Sequence, residues 1–189
     1  MAPKTKFTKE QIVDTAFEIA RTDGIDSITI RKVAEKLGSS IAPIYVNFKE
    51  VDELVQEVYK KTAEVSRQIL TEQDSGNPFL DIGVASIRFA KEYPVLFRDL
   101  VMKKNNQAKH DEEETQGFIQ MMRTDPDLNG LSDDQLQAIF LKMKIFQVGM
   151  SVMVANELLP GDYSEERMIQ LMSSAAEDVI GTARRRTKQ

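Results

Sequence analysis

Helix punctuation constrains this chain more than any other feature. Thr8 stands three residues before Gln11, and Ser132 three before Gln135. In each pair a hydroxyl and an amide can satisfy the first free N–H groups of a helix reciprocally. Apolar couples flank both pairs, Phe7 with Ile12 and Leu131 with Leu136, placed to staple the entering chain. Each start opens a helical period: Ile12, Val13, Ala16, Phe17 and Ala20 in the first case. In the second it is Leu136, Ile139, Phe140, Met143, Phe146, Met150 and Met153. Alternating strand-like runs are missing, and the one short β-branched patch is Ile28-Thr29-Ile30. The fold class is all-α.

The remaining starts and stops fill in about nine helices. Gly24 is placed to end the first helix at positive φ. A short second helix runs from Thr29 as N-cap to Leu37, burying Val33, Ala34 and Leu37, and Gly38 breaks it. A third starts at Ser40 as N-cap and reaches about Phe48, which puts Pro43 at the third helical position. A long helix follows to about Thr71, with Leu54, Val58, Val65 and Ile69 inward. Asn77-Pro78 supplies the cap and first residue of a helix ending near Tyr93, and Pro94 to about Lys103 forms a short one. Asn105 to Glu114 reads as an exposed polar segment, Thr115 to Arg123 as helix, and Asp125 to Gly130 as loop. A last helix runs from Ser164 to about Arg184, burying Met168, Leu171, Met172, Ala175, Ala176, Val179 and Ile180.

Composition excludes several function classes. The 189 residues, 41% hydrophobic and 29% charged, can bury a core in one compact unit or two small ones. There is no cysteine, so disulfides and thiolate chemistry are out. The single histidine, His110, precedes the acidic run Asp111–Glu114 and reads as part of a solvated face, leaving no basis for a metal site or a catalytic triad. The expectation is a non-enzyme with no cofactor. The run Ile145–Ala155 falls short of the roughly 20 residues a membrane span needs. The first nine residues are polar and basic, unlike a secretory signal. A soluble, cytoplasmic protein with no membrane partner is expected. Net charge is −5, yet residues 1–50 hold 8 basic against 7 acidic side chains while 51–189 hold 17 against 23. The sum thus leaves room for a locally basic face.

Residues 29–48 place two short helices around a glycine-containing turn, the spacing of a helix-turn-helix whose second member enters the DNA major groove. Ile44 and Phe48, four apart, point to the core, while Tyr45 and Asn47 point outward with groups suited to phosphate or base. The run Ile28-Thr29-Ile30-Arg31-Lys32-Val33-Ala34-Glu35-Lys36-Leu37-Gly38, then Ile44-Tyr45-Val46-Asn47-Phe48 and Glu53-Leu54, resembles the N-terminal signature of TetR/AcrR-family transcriptional regulators. The resemblance covers about residues 8–58. It implies a helix-turn-helix DNA-binding domain over 1–49 and a ligand-binding and dimerisation domain over 50–189. Thr29 would cap its helix and touch phosphate, and Arg31 would reach phosphate or base. Ser40, Ile41, Ala42 and Val46 would face bases with Pro43 beside them, while Tyr45 and Asn47 hold the DNA backbone. Lys4, Lys6 and Lys9 would add charge. Val51 stands where many members carry a phosphate-binding lysine, and Lys49 is the nearest replacement. No Arg, Gln or Asn lies between Ser40 and Val46, which turns readout toward thymine methyls and DNA shape.

The C-terminal half offers a candidate ligand pocket in Phe89, Phe97, Met102, Phe118, Met122, Phe140, Met143 and Phe146. Aromatic and methionine residues line adaptable apolar cavities, although plain core packing is the simpler account of any one of them. The resemblance implies a small-molecule effector here that tilts the DNA-reading heads apart. Gly149, Ser151 and the run Ser173–Ala176 are small, and the helix over 140–155 is apolar on two sides, so it needs a second partner. A homodimer on a palindromic double-stranded operator is expected. The alternative is a helical carrier of apolar ligands whose DNA head is vestigial.

Overall fold

The computed structural model describes residues 7–102, 108–161 and 163–187, with backbone alone at 102, 108–114, 186 and 187. Its helices are α1 (Lys9–Asp23), α2 (Ile30–Lys36), α3 (Ala42–Asn47), α4 (Val51–Thr71), α5 (Pro78–Glu92), α6 (Pro94–Met102), α7 (Ala108–Met122), α8 (Asp133–Ala155) and α9 (Glu165–Thr187). Two 3-10 turns, Ile25–Ser27 and Pro126–Leu128, complete the regular structure, and no strand occurs among the described residues. The all-α expectation is met.

Helices fall into two compact units. The first holds α1 to α3, α4 as far as Gln68, and α6. The capping box of α1 forms as expected, with Gln11 N–H donating to Thr8 Oγ1 at 3.2 Å and Thr8 N–H to Gln11 Oε1 at 2.9 Å. Its stripe of Ile12, Val13, Ala16, Phe17 and Ala20 is buried, with Ile19 added. The stripe packs on α2 and α6. Packing in this unit runs beyond residue 49: Leu54 and Val58 of α4 and Leu96 of α6 are fully buried. Three short helices cannot bury enough apolar surface by themselves, so α4 and α6 complete their core.

In the second unit α8 packs on α5, α7 and α9. Its core joins Val84 and Ile87 to Ile119, Met122, Leu136, Ile139, Met143, Met150, Met168 and Met172. A side chain at Gly83 would come within 2.6 Å of Met172 Sδ, so glycine permits the close approach of α5 to α9. The second capping box forms too, Gln135 N–H donating to Ser132 Oγ at 3.4 Å. By length and composition α8 could cross a membrane, with a mean hydropathy of 1.5 over 18 residues. Here it packs in a helical bundle.

Some boundaries differ from the sequence reading. Helix α7 begins at Ala108, seven residues before the expected Thr115. The stretch Ala108–Glu114 is rich in strong helix formers but lacks an apolar stripe, so propensity and not periodicity extends the helix. Leu37 is half-buried as the α2 C-cap. Leu171 is 40% exposed, because the buried line of α9 runs through Met168 and Met172 and leaves it on the flank.

Candidate nucleic-acid interface and ligand cleft

Thr29 holds the start of α2 as expected: extended at φ −134° and ψ 150°, its hydroxyl accepts from Lys32 N–H at 3.2 Å. The end of α2 is a two-bond reversal. Ser39 N–H donates to Ala34 C=O and Gly38 N–H to Glu35 C=O, both at 2.9 Å. This pair requires a left-handed residue between them, and Gly38 supplies φ 62°. The turn then delivers α3.

Ser40 does not cap α3. Ile41 stands at the N-cap, with helical dihedrals and no side-chain bond, and its carbonyl accepts from Ile44 and Tyr45 N–H at 3.1 and 3.2 Å. Proline explains the shift. Were Ser40 the cap, the third helical residue would be Pro43, which has no N–H, and the serine hydroxyl would be left with Ala42 N–H alone to accept from. Pro43 sits instead at the second position, where no donor is missed.

Six residues suffice to give α3 two faces. Ile44 at its inner side and Phe48 at its C-cap are buried. On the other side Ile41 is 45%, Tyr45 52% and Val46 71% exposed, and Ala42 is exposed with them. Asn47 departs from expectation: it is half-buried on the flank, and its amide donates to Pro43 C=O at 2.9 Å. The start of α4 is fixed by Glu53, whose carboxylate accepts from Lys49 N–H at 2.8 Å, while Leu54 beside it enters the core.

Charge around α3 is local. Arg31, Lys36 and Lys49 are exposed and carry no ion pair among the described residues. Lys32 reaches Asp23 at 3.6 Å. Lys9 is engaged, 3.2 Å from Glu57 and 5.5 Å from the centre of the Phe48 ring. Lys60 holds the same Glu57 carboxylate at 3.0 Å, and its hydrogen bond, followed by that of Lys9, keeps the Glu57 pKa below the usual glutamate range. Lys4 and Lys6 lie outside the described residues.

No family model matches the chain. The nicotine-responsive transcriptional repressor HdnoR of Paenarthrobacter nicotinovorans, a helix-turn-helix protein, is 35% identical over 48 residues, a quarter of this chain and a quarter of that protein. Solved structures match nearly end to end. A TetR regulator of Streptomyces coelicolor superposes with a TM-score of 0.69 at 14% identity, over 93% of this chain and 98% of its own. A TetR variant from Acinetobacter baumannii in complex with minocycline gives 0.59 at 17% identity, over 95% and 98%. The repressor SmeT of the Stenotrophomonas maltophilia efflux pump SmeDEF gives 0.58 at 17% identity, over 94% and 91%. The chain has the TetR-family fold.

In this TetR fold the second unit carries a half-open cleft of about 310 Å³ between α7 and α8. Thr115, Gln116 and Ile119 line it from α7, and Gln137, Phe140, Leu141 and Lys144 from α8. The rings of Phe118 and Phe140 stack at 5.8 Å, and Lys144 Nζ lies 5.8 Å from the Phe140 centroid. Of the residues expected to line a pocket, Phe140 does so. Met122 and Met143 are buried core, with Phe146 packed against them, and Phe89 is buried too. Phe97 belongs to the first unit. The side chains of Met102 and His110 lie outside the described residues. Sequence reasoning missed Ile119, Leu141 and Lys144 as lining residues: each sits at helical spacing from a neighbour, but nothing local says that these two faces meet.

One face of α8 stays uncovered among the described residues. Leu141 is 57%, Ile145 64% and Met153 39% exposed, at steps of four and eight residues, with Gly149 between. No cluster of metal-ligating side chains occurs among the described residues.

Proposed function

We propose that this protein is a TetR-family DNA-binding repressor, acting as a cytoplasmic homodimer on a palindromic operator and released by a small apolar or amphipathic ligand. The observation that carries the reading is α3, brought by a capped α2 and a Gly38 reversal to present Ile41, Ala42, Tyr45 and Val46 to solvent. An exposed helix delivered this way fits a major groove, and Thr29, Arg31, Tyr45 and Lys49 are its phosphate contacts, with Ser40 and Pro43 at its edge. Residues 1–49 read DNA, and 50–189 hold the effector and the subunit interface.

The uncovered Leu141–Met153 face supports dimerisation, since a contiguous apolar stripe needs a partner. A second copy supplies one by symmetry, and two heads then address half-sites spaced by about one turn of DNA, or a multiple of it. A minocycline-bound structural neighbour and a nicotine-responsive relative support the effector class. The α7–α8 cleft, with an apolar floor and a lysine at its wall, offers one amphipathic seat.

Mobility shift of the chain on the intergenic DNA upstream of its own gene tests the proposal. A regulator gives a site-specific shift that weakens steeply with salt. Tyr45→Ala abolishes it and Arg31→Ala weakens it, both with helicity intact. A chain that binds apolar compounds but never shifts DNA is the carrier, and the proposal fails.

A further inference from the structure

The outward face of α3 has an unusual chemistry for a DNA-reading helix. At 100° per residue, Ile41, Ala42, Tyr45 and Val46 fall on one side, and all four are exposed. Between Ala42 and Asn47 there is no charged side chain. Tyr45 offers a hydroxyl, and the Asn47 amide already donates to Pro43 C=O. Arg31, Lys36 and Lys49 stand exposed and without an ion pair among the described residues, on α2 and in the turn after α3. The outward face of α3 is an uncharged, largely apolar patch, with exposed cations on the preceding helix and in the following turn beside exposed Glu35 and Glu50, and its chemistry suits a groove floor and not the phosphate walls.

In that groove guanine, adenine and cytosine present donors and acceptors, whereas thymine alone adds an apolar group, its 5-methyl. Ile41, Ala42 and Val46 cannot make the bidentate bonds that select guanine or adenine. They can bury a methyl. Resting on the proposed function, we infer that these three residues read thymine 5-methyl groups, so that each half-site is marked by thymines under α3 and not by a guanine contact. Val46 makes a larger contribution than Ile41, being 71% exposed against 45%.

The test uses the full chain and duplexes it selects from a random-sequence pool. The selected duplex is resynthesised with deoxyuridine at each conserved thymidine in turn, which removes the methyl and keeps every hydrogen bond. Each deletion under α3 weakens binding about fourfold, and about fifteenfold when both half-sites change, the worth of one buried carbon per contact. Val46→Ala, which alters both half-site contacts at once, weakens binding to the thymidine duplex by at least the factor for the two-half-site deletion, is insensitive to the deoxyuridine at its own contact, and melts like the parent. Specific binding that is indifferent to every deoxyuridine, or a selected half-site marked by an essential guanine under α3, overturns the inference and leaves the regulator reading standing. Failure to select any duplex overturns both.

Discussion

The backbone N–H of Ile25 donates to Asp99 Oδ2 at 2.6 Å, tying the turn after α1 to α6 across 74 residues of sequence. Ile25 is buried, so its N–H has no recourse to water, and the carboxylate of a distant helix replaces it. Gly24 makes the approach possible: at φ 90° and ψ 160° it occupies a region closed to other residues, and a Cβ there would lie 3.0 Å from the same Asp99 oxygen. Asp99→Ala leaves the donor unpaired and destabilises the unit by about 1–3 kcal/mol, with Asp99→Asn losing less because it keeps an acceptor. Urea melts of the two variants check this; equal stability of Asp99→Ala and the parent refutes it.

Arg31 is exposed at the second position of α2, two residues after the capping Thr29. If it meets phosphate, Arg31→Ala lowers the slope of log affinity against log salt by about one per subunit and weakens all sequences alike. Binding isotherms between low and physiological salt measure the slope. A change confined to one base position instead makes Arg31 a base reader.

Ile145 is 64% exposed in the chain and contributes nothing to its core. Ile145→Asp places an unpaired charge in any interface built on this face, a cost that weakens association at least about tenfold per subunit. Sedimentation at micromolar concentration then shows monomer with an unchanged helical spectrum. A dimer that survives the substitution joins elsewhere.

Glu57 is held by Lys60 and Lys9, and its pKa lies below the usual glutamate range. A carboxylate depressed in the folded state adds stability that is full above its unfolded pKa and is lost as pH falls through the folded one. The contacts are surface pairs, so the effect stays below about 1 kcal/mol. Melting curves of the parent and Glu57→Gln should differ at pH 7 and converge below about pH 4. A difference that persists in acid means the pairs act through packing and not through charge.

Much of the fold could be read one residue at a time. Thr8 with Gln11, Ser132 with Gln135, Thr29, Asn77-Pro78 and Gly38 each act within a single turn, and all do in the structure what their local chemistry dictates. Ser40 shows the limit of that approach. Serine is a favoured cap, but Pro43 three residues on removes one of the two donors it could accept from, and Ile41 stands at the cap with the helix starting one residue later. Asn47 reads as an outward polar group, yet its bond to Pro43 C=O draws it onto the flank. The early start of α7 escaped because acidic helix formers carry no periodic signal.

The sequence alone determined which segments are helical, where most of them start, and that Ile44 and Phe48 turn one side of α3 inward, because caps and 3.6-residue periods depend on neighbours within a few positions. Tertiary structure decided the rest. That Asp99 answers Ile25, that α4 and α6 complete the core of the head, that Met172 needs a glycine at position 83, and that Phe140 lines a cleft while Met143 is core all depend on residues far apart in the chain. Such pairings are set by how apolar faces find one another on collapse, and the faces of several helices here are similar enough that composition does not choose between them.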